Sequence, residues 1–198
     1  MVLDEINKFY EKFEGEKGII GLSERGKPIT YFKCGNGKPV VIMQYSIHGR
    51  EYITAYLALK HIEDFYLKGR KGTIYFLPCV NPDGVEICLK ENPLNKANAR
   101  GVDLNVNFDA RWGTGEQNRR KKGYANYIGK YPFSERETKA LRDFTLDVMP
   151  DATISYHSKG EEIYWYFYQK HADRDLKMAK EVSFVTGYPL VTATSSAG

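Results

Sequence analysis

The alternation of strand-like and helix-like stretches constrains this chain most. Val40-Val41-Ile42-Met43 is a continuous apolar, largely β-branched run inside residues 39–45, as a strand buried on both faces requires. A helix is expected over residues 52–67, where Gly69 follows to close it. Residues 73–80 return to a β-rich run, and Asn81-Pro82-Asp83-Gly84 then has turn composition. Strand, helix and strand in this order form a β-α-β unit, which places the chain in the α/β class.

Other elements extend the pattern. Ile6, Phe9, Tyr10 and Phe13 fall at i, i+3, i+4 and i+7, which predicts an amphipathic helix over residues 4–14 with Asp4 as N-cap. Two β-rich stretches, residues 29–33 and 39–45, flank Gly35-Asn36-Gly37, a composition that predicts a hairpin. Beyond a long Asn- and Gly-rich stretch come a helix over residues 134–148, strands near 152–156 and 162–168, and a helix over 173–186. Ser134-Glu135-Arg136-Glu137 reads as a capping box, and the aromatic run Tyr164-Trp165-Tyr166-Phe167-Tyr168 is expected mostly in the core. Cys34, Cys79 and Cys88 lack CxxC spacing and read as small, reduced core residues.

At 198 residues, the prior favours one domain spanning 1–198. An aromatic content of 14% with 42% hydrophobic residues excludes a disordered or low-complexity chain. No apolar run reaches about 18 residues, and Met1-Val2-Leu3-Asp4-Glu5 does not open a secretory signal, so no membrane partner and a cytoplasmic location are expected. The net charge of +4 is too small for a nucleic-acid footprint, and the cluster Arg119-Arg120-Lys121-Lys122 reads as a solvated surface loop.

In open α/β sheets, function collects at the carboxyl ends of strands, which directs attention to the loops after Tyr45, Val80 and Tyr156. The first reads Ile47-His48-Gly49-Arg50-Glu51, and an i, i+3 spacing at a helix start puts His48 and Glu51 on one side. Imidazole plus carboxylate is a common zinc pair, although an isolated HxxE more often caps a helix or forms a surface hydrogen bond. His157, at the end of a separate strand, is where a third ligand would have to arrive. His61 and His171 read as packing or surface residues.

Five ordered segments now carry a resemblance: His48-Gly49-Arg50-Glu51, Asn81-Pro82-Asp83-Gly84, Arg100-Gly101-Val102-Asp103-Leu104-Asn105, Pro132-Phe133-Ser134-Glu135 and His157-Ser158. Together they resemble the zinc carboxypeptidase family across nearly the whole chain. The stretches 98–105 and 157–165 look most like its bacterial branch that cleaves γ-D-glutamyl-diamino acid bonds in cell-wall peptides. The resemblance implies a mixed sheet sandwiched by helices, one zinc ion held by His48, Glu51 and His157, hydrolysis of a peptide bond by water, and a peptide substrate, here a peptidoglycan stem peptide.

Two departures from the family pattern accompany it. The family's general-base glutamate lies on a strand well downstream of the third ligand; Glu161, Glu162 and Glu181 do not match it, so no catalytic residue is assigned. The base and the last strands and helix are expected beyond Gly198, which makes the domain incomplete at its C-terminus. The family also grips the substrate's terminal carboxylate with an Asn-Arg pair, whereas this chain has Asn105-Val106. Valine offers no charge or donor, so Arg100 and Asn105 become the substrate-binding candidates, Arg100 also through the family's further arginine near the metal. Arg111 reads as a surface salt bridge, and Asp103 either orients a ligand imidazole or forms a turn. A zinc- or peptide-binding protein without turnover, and a fragment of such an enzyme, stand as the alternatives.

Overall fold

Large apolar side chains leave both faces of one sheet, and helices cover each. The computed structural model describes residues 1–192. In chain order it contains α1 (Val2–Lys12), β1 (Lys17–Leu22), β2 (Pro28–Asn36), β3 (Val40–Tyr45), α2 (Ile53–Lys68), β4 (Gly72–Leu77), α3 (Pro82–Lys90), α4 (Arg136–Val148), β5 (Ala152–Tyr156), β6 (Ile163–Tyr166), α5 (Ala172–Thr186) and β7 (Leu190–Thr192). The main sheet runs β1-β2-β4-β3-β5. Its first two pairings are antiparallel and its last two parallel, which makes the sheet mixed. β6 and β7 pair in parallel as a separate two-stranded sheet.

On one face, Phe32, Tyr45 and Phe76 pack with Ile6 of α1 and Ala55, Ala58 and Ile62 of α2. On the other, Ile42 and Leu77 pack with Leu141 of α4, flanked by Tyr31, Tyr75 and Phe144. This is the α/β class that the alternation predicted and the mixed sheet sandwiched by helices that the resemblance implied. The β3-α2-β4 unit forms as expected, and Gly69 ends α2 in the left-handed region at φ 57°, where a side chain would be strained. Cys34, Cys79 and Cys88 are buried and free. Among the described residues, no helix is long and apolar enough to cross a membrane.

Several local expectations are corrected. Gly35-Asn36-Gly37 does not close a hairpin, because β4 lies between β2 and β3; β2 pairs instead with β1, whose two glycines weaken its strand signal. The connection crosses over β4 because β3 is committed to the parallel crossover. Asn81-Pro82-Asp83-Gly84 is the start of α3 rather than a free turn. The Asn81 side chain accepts from the Gly84 N–H at 2.9 Å, and Pro82 occupies the first turn, where a missing N–H costs nothing. At α1 the cap is Met1, and Asp4 lies in the first turn, paired with the terminal ammonium at 2.7 Å.

The capping box at α4 does not form. Glu135 is the N-cap residue without a side-chain cap bond, and its Oε1 accepts from the Ser134 hydroxyl at 2.6 Å, because Glu135 and Glu137 both turn inward. The aromatic run is also less buried than expected: Tyr164 is 62% and Tyr168 50% exposed. Among the described residues, β6 has only β7 as a strand neighbour, so nothing in the main sheet covers it.

Candidate metal centre

β3 and β5 are parallel neighbours with Tyr45 and Tyr156 in register, so the loops that follow them leave the same end of the sheet. The two tyrosine rings stack at 4.6 Å between centroids, and the Tyr45 hydroxyl is hydrogen-bonded to His61 Nδ1 at 2.8 Å. His61 is thus a packing residue, as its position inside α2 suggested. After β3 the chain passes Ser46 and Ile47 to His48 and makes one tight turn over Gly49–Glu51 before α2. Gly49 is required there, since a Cβ would meet the Gly84 carbonyl oxygen at 2.2 Å. Thr54 pins the turn: its hydroxyl donates to the Glu51 carbonyl at 2.9 Å and accepts from the Ser46 N–H at 2.9 Å.

This local structure brings three side chains together. His48 Nδ1 lies 3.0 Å from Glu51 Oε1, and His157 Nδ1 lies 2.9 Å from Glu51 Oε2. The ligand atoms of all three lie within 4.8 Å of one another. Bonds of about 2.0–2.2 Å to a tetrahedral zinc place neighbouring ligand atoms about 3.3 Å apart, close to both spacings. His48 Nδ1 supplies a second test. It is buried and makes no hydrogen bond, while its Nε2 is taken by Asp103 Oδ1 at 3.2 Å. A buried nitrogen left free beside a carboxylate and a second imidazole fits a divalent cation.

The same contacts set the charges of His48, Glu51 and Asp103. Burial disfavours charge on His48, but the hydrogen bond to Asp103 and the Glu51 carboxylate beside its Nδ1 outweigh it and raise its pKa above the usual imidazole value. Glu51 is also penalised by burial, yet the hydrogen bond with His157 and the adjacent His48 imidazole prevail and hold its carboxyl well below the usual range. Asp103 behaves likewise: burial is outweighed by His48 and by Lys96, whose Nζ lies 2.6 Å from Asp103 Oδ2. Asp103 Oδ1 also accepts from the Asn105 N–H at 3.2 Å, so one carboxylate both orients the imidazole and shapes the turn. Lys96 escaped sequence reasoning because a lone lysine seven residues before Asp103 carries no periodic signal.

The other named residues are not part of this three-residue cluster. Arg100 points its guanidinium at Glu135 and Glu24, at 3.6 and 3.8 Å. Asn105 is exposed beside Asp103, and Val106 is buried at 8% exposure. Arg111 forms no ion pair among the described residues; its guanidinium lies 3.9 Å from the Tyr168 ring centroid. Arg119, Arg120, Lys121 and Lys122 are exposed, as expected for a surface loop. A second carboxylate cluster was not anticipated: Glu24, Glu135 and Glu137 meet, and Asn98 Nδ2 bridges Glu135 and Glu137 at 2.9 and 3.2 Å. Its signal lay in Ser134-Glu135-Arg136-Glu137, where the acidic side chains serve the interior instead of a helix cap.

Against known families, the zinc carboxypeptidase model, peptidase M14, matches residues 15–189. The chain belongs to this family. Gamma-D-glutamyl-L-diamino acid endopeptidase 1 of Lysinibacillus sphaericus is 28% identical, over the whole of this chain and 60% of its own length. Pig carboxypeptidase A1 is 33% identical, over 83% of this chain and 44% of its own length. Among solved structures, thrombin-activatable fibrinolysis inhibitor shares the fold with a TM-score of 0.81 at 23% identity, over 98% of this chain and 58% of its own. The murein-tripeptide amidase MpaA of Escherichia coli O157 superposes with a TM-score of 0.65 at 25% identity, over 94% of this chain and 74% of its own. The chain thus spans 60% or less of the two curated relatives it matches here.

Proposed function

We propose that this family member binds one zinc ion through His48, Glu51 and His157 and hydrolyses the γ-D-glutamyl-diamino acid bond of peptidoglycan stem peptides. The convergence of these three side chains at one end of the parallel strands carries the zinc part. The whole-chain match to an endopeptidase of that bond supports the substrate. Bound there, zinc supplies Lewis acidity toward water and the scissile carbonyl. The chain's own residues do the positioning. Glu51 sits between both imidazoles, and Asp103 holds His48 by Nε2 so that Nδ1 faces inward. Lys96 in turn fixes Asp103, which keeps the buried carboxylate ionised and the imidazole aligned.

The test is release of the diamino acid from a synthetic γ-D-glutamyl-diamino acid stem peptide by the zinc-loaded chain. Turnover abolished by a chelator and restored by zinc is the expected result. Bound zinc without turnover would overturn the peptidase reading of this chain in favour of a zinc- and peptide-binding protein or a fragment of such an enzyme.

A further inference from the structure

We infer that Arg111, stacked on Tyr168, is the residue that grips a carboxylate of the peptide substrate; this rests on the peptidase reading above. The Arg111 guanidinium lies 3.9 Å from the Tyr168 ring centroid. Both residues are in the left-handed backbone region, at φ 54° and 56°, although neither is glycine or asparagine. Such a conformation costs about 1–2 kcal/mol for an ordinary side chain and persists only where the surroundings impose it. Both flanks of Arg111 are anchored. Asn107 Nδ2 donates to the Ile128 carbonyl at 2.8 Å and Trp112 Nε1 donates to the same oxygen at 3.1 Å. The Arg111 carbonyl accepts from the Thr114 hydroxyl at 2.8 Å. A guanidinium is therefore held in place by strained backbone and a ring, which is unlike a freely solvated surface arginine.

Its chemistry suits a carboxylate. Stacking occupies the guanidinium face and leaves its edge N–H groups in the plane where a carboxylate binds with two parallel hydrogen bonds. Among the described residues, no carboxylate pairs with Arg111, whereas Arg100 faces Glu24 and Glu135. Val106, buried beside Asp103, supplies no cation. The location fits as well. Arg111 lies on the loop that leaves Asp103, which touches His48, and Tyr168 lies on the segment that leaves His157. The stacked pair thus joins the two chain segments that flank the metal centre.

The test uses a γ-D-glutamyl-diamino acid dipeptide with the diamino-acid carboxylates free, and the same dipeptide with them amidated. Binding of each to the zinc-loaded chain is measured by calorimetry. The wild type is expected to prefer the free acid by about tenfold or more, and Arg111→Gln to lose that preference with its zinc content and circular dichroism unchanged. Arg111→Lys should keep only part of it, since an ammonium cannot present the planar fork. Full preference in Arg111→Gln, or a wild type that binds the acid no better than the amide or not at all, would overturn the assignment. An Arg111-dependent preference without cleavage would refute the peptidase reading alone. Cleavage without any preference for the acid would refute Arg111 alone.

Discussion

Replacing Glu137 by glutamine should flatten the fall in stability expected of the wild type as pH rises from 4.5 to about 7. Glu137 is fully buried in the first turn of α4. Burial pushes its carboxyl up from 4.5 to about 7, against the hydrogen bonds from the Glu24 N–H and Asn98 and with help from the Glu24 charge. Glu135, the N-cap residue of α4, and Arg100, which pairs with both Glu24 and Glu135, complete the charged surroundings. The folded state therefore holds this proton to higher pH than the unfolded chain does. Unfolding free energy consequently falls as pH rises between 4.5 and about 7, and the loss is complete above that window. The displacement is equivalent to roughly 3 kcal/mol. Glutamine cannot ionise, so Glu137→Gln removes this contribution to the slope while keeping an acceptor for Asn98 or Glu24. Denaturant unfolding followed by circular dichroism at a series of pH values reads the difference. The variant curve should gain on the wild type by roughly that amount from acid to mildly basic pH. Two parallel curves would refute the claim that a buried, ionising Glu137 costs stability.

Two further outcomes are expected. Asp103→Asn should weaken zinc binding by about 10–100-fold, because the neutral amide no longer holds His48 Nε2 and Lys96 with charge; equal affinities in a metal-buffer titration would remove Asp103 from the support of the site. Asn107→Ala should destabilise the fold by about 3 kcal/mol or more, because this buried amide donates to Ile128, Tyr131 and Ser134 and accepts from Thr138. A loss below about 1 kcal/mol in thermal or denaturant unfolding would show that the 105–135 segment is held by other contacts.

The residues differ in how far they could be read from the chain, for physical reasons. The β3-α2-β4 crossover and the covering helices were legible because hydrophobic period and a glycine stop act locally. Gly35-Asn36-Gly37 carries no information on strand pairing, because turn composition specifies a reversal and not which strand lies alongside; β4, over thirty residues later, takes that place. His48, Glu51 and His157 could be singled out as ligand candidates because zinc donors come from few residue types and the family resemblance marks these three, and the parallel register of Tyr45 with Tyr156 brings their two distant loops to one end. Lys96 and the Glu24, Glu135 and Glu137 cluster were not, because their meaning lies in contacts between segments about forty to more than a hundred residues apart or within an irregular loop. Arg111 illustrates the same limit. Its sequence neighbours suggest a surface salt bridge, and only the fold reveals Tyr168 beneath it.

The most direct measurement is the zinc content of the purified chain and of His48→Ala and His157→Ala after exhaustive dialysis against trace-metal buffer. One zinc per chain in the wild type and none in either variant is the predicted result, since removing one of three ligands leaves an incomplete site. One zinc per chain retained by either variant would contradict the assignment of His48, Glu51 and His157 as the metal centre.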